Sequence, residues 1–272
     1  MVAPRFFAPG LDATADRVVL PADEAHHLRH VLRLAPGADA GVFDGAGHEW
    51  RGRVGQVGRR EVTIEALVPV PAVAEPAVRV TLYAGLLKGE PMDHVVRDAV
   101  ALGVAAIVPL HASRVAVPAR ARLTPALAAR WHRVAVAAAK QCGRAVVPAI
   151  GGLATLADAL DTHDVGGAGG AGDARSSGHP GDHAVGVIMA VEPGARPDRA
   201  GPGRAATWPE ADWSAAPAAV RLLVGPEGGW TPEEVAGAES RGARLLPLGP
   251  RVLRAELAPA VALSVLWSRW GW

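Results

Sequence analysis

The stretch LLVGPEGGWTPEEV, residues 222–235, combines the features that decide the fold class. An apolar run ends in a turn with three glycines and a proline around Glu227, and a helix start follows at once. Thr231 and Glu234 have the spacing of a capping box, with Pro232 at the first helical position. The stretch therefore predicts a strand, a close turn and a helix in direct succession, which is the repeating unit of an α/β domain.

The same alternation of strand and helix continues on both sides of this stretch. Apolar strands are predicted at 78–87, 104–110, 184–191, 220–225 and 244–249, and helices at 91–103, 124–143 and 256–272. Thr124 and Pro125 mark the start of the longest helix, and Gly143 marks its end. This alternation predicts an α/β domain with a mostly parallel sheet.

The N-terminal part of the chain has a different pattern. Short strands are predicted at 17–20, 40–45, 49–58 and 61–68, with one helix at 23–34. Many short strands within about seventy residues are typical of a small β-barrel. Three prolines between 69 and 76 then predict a linker. We therefore expect two domains, residues 1–72 and residues 73–272.

Two stretches of the second domain, near 164–182 and 192–217, are rich in Gly, Ala, Pro and Ser. They have too little apolar surface to order themselves, so we interpret both as mobile surface insertions. His163, His179 and His183 lie in or beside the first stretch. Because no cysteines or spaced carboxylates accompany them, solvent exposure explains them better than a metal does. We expect no metal site.

The composition favours a soluble protein of a reducing compartment. The chain has 272 residues, 50% of them hydrophobic, which is enough for one large or two modest cores. Cys142 is the single cysteine, so an intramolecular disulfide framework is excluded. The N-terminus lacks the apolar segment of a signal peptide, and the apolar run 99–110 is too short to span a bilayer. We expect a cytoplasmic location without a membrane anchor.

Positive charge is concentrated in the middle of the chain, although the net charge is only +1. Residues 73–150 hold 10 Lys and Arg against 4 Asp and Glu, and no acidic residue lies between Asp98 and Asp158. The cations of that acid-free segment are Arg114, Arg120, Arg122, Arg130, Arg133, Lys140 and Arg144. Such a stretch is typical of a surface that binds a polyanion. A helix with a solvated basic face is the alternative.

The glycine-rich turn does not have the pattern of a phosphate or dinucleotide site. GPEGG lacks the G-x-G-x-x-G spacing, and no G-K-[ST] follows. A second strand, in LLPLGPRVLRAE (245–256), also runs into Gly-Pro. If the two strands are neighbours in a parallel sheet, their end loops would present backbone groups to one flat ligand such as adenosine. Two independent tight turns are the alternative.

Six segments together resemble one family, the bacterial 16S ribosomal RNA uridine-N3 methyltransferases of the SPOUT superfamily. They are RFF (5–7), HHLRHVLRL (26–34), LGVAAIVPLHASR (102–114), KQCGRAVVP (140–148), LLVGPEGG (222–229) and LGPRVLRAE (248–256). They occur in the family's order between residues 5 and 256, so the resemblance extends over most of the chain outside the glycine-rich stretches. The resemblance implies an α/β domain with a deep trefoil knot, one of the rare exceptions to unknotted topology, preceded by a PUA-like β-barrel.

The resemblance also implies a cofactor, a substrate and partners. Family members bind S-adenosylmethionine in the knot loops, act as homodimers and methylate N3 of a uridine in 16S ribosomal RNA of the small subunit. Carried over to this sequence, the cofactor-binding residues would be Gly225, Pro226, Glu227, Gly228, Gly229, Leu248, Gly249 and Leu253.

Catalysis would require a cation beside the uracil, because negative charge develops on the base as its N3 proton leaves. Arg254 and Arg251 follow the second turn and are the first candidates, with Arg114 as a third. Glu256 is a candidate proton acceptor or substrate orienter. A structural ion pair within a packed turn is the alternative for each of them.

RNA recognition would fall to cations of the barrel and of the basic stretch. The candidates for phosphate contacts are Arg5, Arg29, Arg33, Lys88, Arg114 and Arg144. Phe6 and Phe7 are candidates for base stacking, with burial in the barrel core as the alternative.

Four positions depart from the family pattern: Pro91, Ala101, Lys140 and Leu257. Lys140 and Ala101 stand where glutamates are usual, and Leu257 replaces a common threonine near the second turn. Two alternatives to a uridine-N3 methyltransferase stay open. One is a related knotted enzyme that methylates ribose 2′-oxygen, which the barrel and GPEGG disfavour. The other is an RNA-binding ribosome-assembly factor without turnover.

Overall fold

The computed structural model describes residues 3–12, 14–116, 123–161, 185–195 and 216–271. The predicted insertion 164–182 and all but the ends of 192–217 lie outside these residues, as do His163, His179, His183, Arg120 and Arg122. Within the described ranges, no helix has the length and apolar character needed to cross a membrane.

The chain forms two compact units. The first consists of Met1–Ala74 together with Ala135–Val147, and the second of Glu75–Val134 together with Pro148–Trp272. Each unit has its own sheet and its own buried cluster.

The first unit is built on a five-stranded sheet in the order β1-β3-β4-β5-β2. Its strands are β1 (Arg5–Phe7), β2 (Arg17–Val19), β3 (Asp39–Phe43), β4 (Glu49–Val57) and β5 (Val62–Val70). All pairs are antiparallel except β1 with β3. Phe6, Val42, Trp50 and Ile64 lie in its buried core. The predicted group of short strands in the N-terminal domain is confirmed, and Phe6 belongs to its core.

The helix predicted at 23–34 is present but is not a regular α-helix. It begins as α1 (Ala22–His26) and continues as a π-helix, His27–Leu32. Leu28 is fully buried, whereas Val31 and Leu32 are exposed. Arg33 ends the segment in the left-handed region with φ of 52°. The wider turn changes which side chains share a face, so Val31 and Leu32 lie outside the apolar face that a 3.6-residue period predicts.

Two charged side chains, Arg5 and Lys140, connect the C-terminal part of helix α3 (Pro125–Cys142) to other residues of the first unit. Arg5 donates to both carboxylate oxygens of Glu49, at 3.1 and 2.8 Å, and to the carbonyl oxygen of Ala139 at 2.9 Å. Lys140 donates to both oxygens of Glu24, at 2.9 and 2.7 Å. Lys140, which departs from the family pattern, is therefore matched by a buried carboxylate.

The second unit is an α/β domain with a parallel sheet, as predicted. Its main path runs β12-β10-β11-β6-β7-β8, and β9 also pairs with β7. Its elements are β6 (Arg79–Gly85), α2 (Glu90–Ala101), β7 (Ala106–His111), the N-terminal part of α3, β8 (Ala149–Ile150), β9 (Ala154–Thr155), α4 (Leu156–Asp161), β10 (Gly186–Val191), β11 (Ala219–Val224), α5 (Pro232–Ser240), β12 (Arg244–Pro247) and α6 (Ala258–Trp270).

The strand order corrects one expectation. β11 and β12, the two strands that run into Gly-Pro, are not neighbours, because β10 lies between them and pairs in parallel with both. Met189 of β10 is opposite Leu223 of β11 and opposite Leu245 of β12. The C-terminal end of a third strand therefore lies between the two predicted loops.

The short elements β8, β9 and α4 were not predicted from the sequence. A buried arginine of the sheet fixes α4: Arg221 of β11 donates to the carbonyl oxygens of Ala159 and Leu160, at 2.7 and 3.0 Å. Burial lowers the pKa of this guanidinium from its ordinary value. Its two bonds satisfy carbonyls at the C-terminal end of α4 that the helix itself leaves without partners.

Candidate active site

A cleft lies at the C-terminal ends of β10, β11 and β12 in the second unit, where parallel α/β sheets bind ligands. It is a shallow cleft that is partly open to solvent. It is lined by Ala190, Val191, Glu192, Pro193, Val224, Gly225, Pro226, Glu227, Gly229, Trp230, Leu248, Arg251, Val252, Leu253, Ala255 and Ala258. Most of the wall is apolar, and three charged side chains lie on it.

The GPEGG turn has a fixed conformation because hydrogen bonds hold both of its ends. The Gly229 N–H donates to the carbonyl oxygen of Pro226 at 2.9 Å. At the start of α5, the Glu234 N–H donates to Thr231 Oγ1 at 3.2 Å, and the Thr231 N–H donates to Glu234 Oε2 at 2.8 Å. The predicted capping box is confirmed, and it fixes the point at which the turn becomes a helix.

The glycines of this turn are required by contacts within the protein. A Cβ on Gly225 would lie 3.1 Å from the Trp230 ring, and one on Gly228 would lie 2.7 Å from Cβ of Arg114. Gly229 has φ of +65°, and a Cβ there would overlap the Glu192 carboxylate, at 2.7 Å from its Cδ. A larger residue at any of the three would push the turn away from its neighbours.

Trp230 connects the turn to the middle strand of the cleft. Its side chain is buried, and its indole Nε1 donates to the carbonyl oxygen of Ala190 in β10 at 2.8 Å. Because Ala190 also lines the cleft, this bond sets the distance between two of the cleft walls.

The loop after β7 also contacts the turn. Ser113 N–H donates to Glu234 Oε1 at 2.8 Å, and Arg114 Nη1 donates to the carbonyl oxygen of Gly228 at 3.2 Å. Hydrogen bonds from its own backbone N–H and from the Thr231 side chain lower the pKa of the Glu233 carboxyl, and the charge of Arg114 lowers it further. Arg114 therefore braces the outer side of the turn.

Most of the predicted cofactor-binding residues line the cleft. These are Gly225, Pro226, Glu227, Gly229, Leu248 and Leu253. Gly228 is outside the lining and packs against Arg114. Gly249 is also outside it and has φ of +108°, which explains a glycine at that position through backbone conformation alone.

Three of the candidate catalytic residues, Arg251, Arg254 and Glu256, lie in two places. Arg251 is exposed and lines the cleft. Arg254 is 85% exposed and lies outside the lining, with its Nη1 at 3.8 Å from Glu256 Oε1. The Glu256 side chain is 26% exposed. Arg254 and Glu256 thus form a loose pair beside the cleft, with the guanidinium turned to solvent.

The candidate RNA-binding cations differ in how far they are engaged within the protein. Arg5 is held by Glu49, Arg144 is buried, and Arg29 donates to the carbonyl oxygens of Ala25, Gly58 and Arg59. Arg33 in the first unit is exposed, and so are Lys88 and Arg114 in the second.

The end of β10, with Val191, Glu192 and Pro193, and the tryptophan that packs beside it were not predicted as part of the site. The pattern was present, since the apolar strand 186–191 runs into Glu-Pro-Gly much as its neighbours run into Gly-Pro. Residue 192 was instead placed at the start of a glycine-rich insertion.

The departures from the family pattern leave the cleft intact. Leu257 is the N-cap residue of α6 and provides no side-chain hydrogen bond, so this helix begins without the hydroxyl that a threonine would offer. Pro91 lies in the first turn of α2, where a proline is tolerated. Ala101 is exposed at the end of α2.

The cleft suits a nucleoside cofactor better than a metal. Among the described residues, no group of three or more His, Cys, Asp or Glu could hold a metal ion. The apolar wall would accept the face of an adenine ring, and the turns at 225–229 and 248–253 offer backbone donors and acceptors beside it.

Comparisons with known proteins agree with this fold and cleft. Residues 74–185 and 187–267 match the family model described as an RNA methyltransferase domain. Residues 20–67 match the model described as an RNA methyltransferase PUA domain. The fold and the cleft thus define an RNA methyltransferase with an N-terminal PUA domain, and the predicted fold class is confirmed.

The relatives narrow the class to one family. A protein of Mycobacterium bovis named ribosomal RNA small subunit methyltransferase E is 34% identical over 277 residues, which cover 99% of this chain and 94% of the relative. The chain belongs to the ribosomal RNA small subunit methyltransferase E family, as the resemblance of the six segments implied.

Two solved structures are similar over nearly the whole chain. The ribosomal RNA small subunit methyltransferase E of Neisseria gonorrhoeae, bound to S-adenosyl methionine, is 28% identical with a TM-score of 0.77, covering 99% of this chain and 98% of that one. A putative methyltransferase of Legionella pneumophila, in complex with the same cofactor, is 25% identical with a TM-score of 0.78, covering 98% of both chains.

Proposed function

We propose that this protein is an S-adenosylmethionine-dependent methyltransferase that methylates N3 of one uridine in 16S ribosomal RNA. The observation that carries the proposal is the cleft at the ends of β10, β11 and β12, in a chain whose relatives at 25% and 28% identity bind this cofactor. An enzyme acting on ribosomal RNA would work in the cytoplasm.

The cleft would hold the cofactor between the 225–229 turn and the 248–253 segment. Leu248, Leu253 and Pro226 offer apolar surface for the adenine ring, and the backbone of the two turns offers hydrogen bonds to its edge. When bound, S-adenosylmethionine supplies an electrophilic methyl group on a sulfonium. The protein must then position the uridine and stabilise the charge that develops on it.

Two arginines are suited to stabilise that charge. Arg251 lines the cleft, and Arg254 lies beside it with its guanidinium exposed to an incoming substrate. A guanidinium near the uracil oxygens would stabilise the anion that forms when the N3 proton leaves. Glu256, 3.8 Å from Arg254, would orient that guanidinium and is a candidate to receive the proton.

Exposed cations would bind the RNA backbone. Arg33, Lys88 and Arg114 are free of the buried contacts that occupy Arg5 and Arg144, so their charges are open to phosphate groups. Arg29 combines both roles, because its Nη1 bonds carbonyls while its side chain stays partly exposed. We further propose that the small ribosomal subunit is the substrate particle and that the enzyme acts as a homodimer.

The test combines binding with product identification. Calorimetric titration of the purified protein with S-adenosylmethionine should give saturable binding. Incubation with small subunits from a strain that lacks this enzyme, followed by nucleoside mass spectrometry, should give N3-methyluridine.

Each alternative has its own outcome in the same test. A 2′-O-methylated nucleoside would replace the N3 assignment with ribose methylation. RNA binding without cofactor binding at any reachable concentration would favour an assembly factor without turnover and would overturn the enzyme proposal.

A further inference from the structure

Glu192 is the charged residue that the middle strand brings into the cleft. It directly follows β10, lines the cleft and is only partly exposed. Its carboxylate packs against the α-carbon of Gly229, where only a residue without a side chain leaves room for it. The positive φ of Gly229 and the Trp230 bond to Ala190 hold the two walls at this separation.

Among the residues that the structure describes, none forms a hydrogen bond or ion pair with the Glu192 carboxylate. A carboxylate that faces a ligand cleft attracts a positively charged group of the ligand. The position of Glu192 therefore suits a positively charged group inside the cleft.

The cofactor and its product differ in this property. S-adenosylmethionine has a sulfonium cation, whereas the sulfur of S-adenosylhomocysteine is neutral after methyl transfer. The two molecules share the adenine, the ribose and the amino-acid end. A carboxylate close to the sulfur would thus attract the cofactor more strongly than the product, because the product lacks the charge on sulfur and keeps only the groups that both molecules share.

We propose that Glu192 makes the cleft prefer S-adenosylmethionine over S-adenosylhomocysteine, so that product leaves after each transfer. This inference rests on the proposed function, because it assumes that the cleft is the cofactor site. Glu227 and Arg251 also line the cleft, but both are exposed, so solvent screens their charges more than that of Glu192.

Two other roles for Glu192 make different predictions. If its carboxylate accepted hydrogen bonds from the ribose hydroxyls, both ligands would lose affinity together when it is changed, since both carry the ribose. If it only spaced the walls at Gly229, both affinities would again fall in parallel. Of the three roles, only discrimination by charge predicts that the ratio of the two affinities changes when Glu192 is replaced.

The experiment is calorimetric titration of wild type, Glu192→Gln, Glu192→Asp and Glu90→Gln with each of the two ligands. Glu192→Gln keeps the size and removes the charge, and it should lower affinity for S-adenosylmethionine about three- to tenfold while the affinity for S-adenosylhomocysteine stays within about twofold. Glu192→Asp should retain part of the preference. Glu90, exposed at the start of α2 and outside the cleft lining, is the matched control and should leave both affinities unchanged.

The outcomes separate this inference from the proposed function. If the wild type binds S-adenosylmethionine and Glu192→Gln leaves both affinities unchanged, the role of Glu192 is refuted and the proposed function stands. A parallel loss for both ligands would also refute it and assign Glu192 to ribose binding or to wall spacing. Wild type that binds neither ligand would overturn both. Thermal unfolding of each variant identifies any that has lost its fold, and Glu192→Asp then provides the comparison.

Discussion

Gly85, the last residue of β6, faces the backbone of Pro226 so closely that a Cβ at position 85 would overlap the proline nitrogen, at 2.8 Å from its α-carbon. β6 pairs directly with β11, so the end of one strand supports the turn that follows the other. The position of the GPEGG turn therefore depends on a residue outside the turn and outside the cleft lining.

Gly85→Ala should move the turn and weaken cofactor binding. The added methyl meets backbone atoms that cannot rotate away, and overpacking of this kind costs about 1–3 kcal/mol of stability. Affinity for S-adenosylmethionine, measured by calorimetry, should fall by about tenfold or more, because Pro226 and Gly225 both line the cleft. Gly152→Ala is the control, since a Cβ there meets nothing within 4 Å. An unchanged affinity in Gly85→Ala would show that the turn adapts without cost.

Trp230→Phe should destabilise the second unit. The substitution removes the indole donor and leaves the buried carbonyl oxygen of Ala190 without its 2.8 Å bond, at a cost of about 1–3 kcal/mol. Trp131→Phe is a matched control, because Trp131 is equally buried and its Nε1 has no partner in the described part of the chain. The free energy of unfolding in urea should fall more for Trp230→Phe. Equal losses would mean that packing alone decides the effect.

Arg5→Ala should destabilise the first unit even in the absence of RNA. Its side chain is 10% exposed and pairs with Glu49, so its removal leaves a largely buried carboxylate unpaired and costs about 3 kcal/mol. The exposed pair of Arg17 and Glu61 provides the control, and Arg17→Ala should change the free energy of unfolding by no more than about 0.5 kcal/mol. If Arg5→Ala kept its stability and bound RNA weakly, Arg5 would instead be a residue that contacts RNA.

Arg254→Ala should lower turnover far more than cofactor affinity. The guanidinium lies outside the cleft lining, so S-adenosylmethionine should bind with little change while kcat falls by about 100-fold. Arg251 lines the cleft, and Arg251→Ala should lower both. Single-turnover kinetics and calorimetry together make the measurement. Parallel losses in Arg254→Ala would mean that this residue only holds its loop.

Arg33→Ala and Lys88→Ala should each weaken RNA binding without regard to sequence. If each side chain neutralises one phosphate, the slope of log affinity against log salt should decrease by about one in each variant. Arg241→Ala is the control, because that guanidinium is paired with Asp161 at 3.3 Å. Filter binding at several salt concentrations makes the comparison. A slope that stays constant in Arg33→Ala would exclude a phosphate contact at that position.

Local signals predicted where helices α3 and α5 begin. The capping box of Thr231 and Glu234 and the N-cap of α3 at Thr124, whose Oγ1 accepts from the Leu127 N–H at 3.2 Å, both form as the spacing indicated. These features depend on residues three or four positions apart, so one segment contains all the information that they require. The π-helix at His27–Leu32 was missed because a 3.6-residue period describes only regular helices.

The sequence by itself determined the α/β class, the small all-β domain before it, and the family, through six segments with distinctive residues. Only the tertiary structure decided that β10 lies between β11 and β12, that Glu192 therefore enters the cleft, and that Gly228 and Gly229 face Arg114 and Glu192. The physical reason is that strand order in a parallel sheet depends on how apolar faces pack over long sequence separations. The residues of one strand do not by themselves specify which strand lies beside it, whereas caps and turns are specified by the residues that form them.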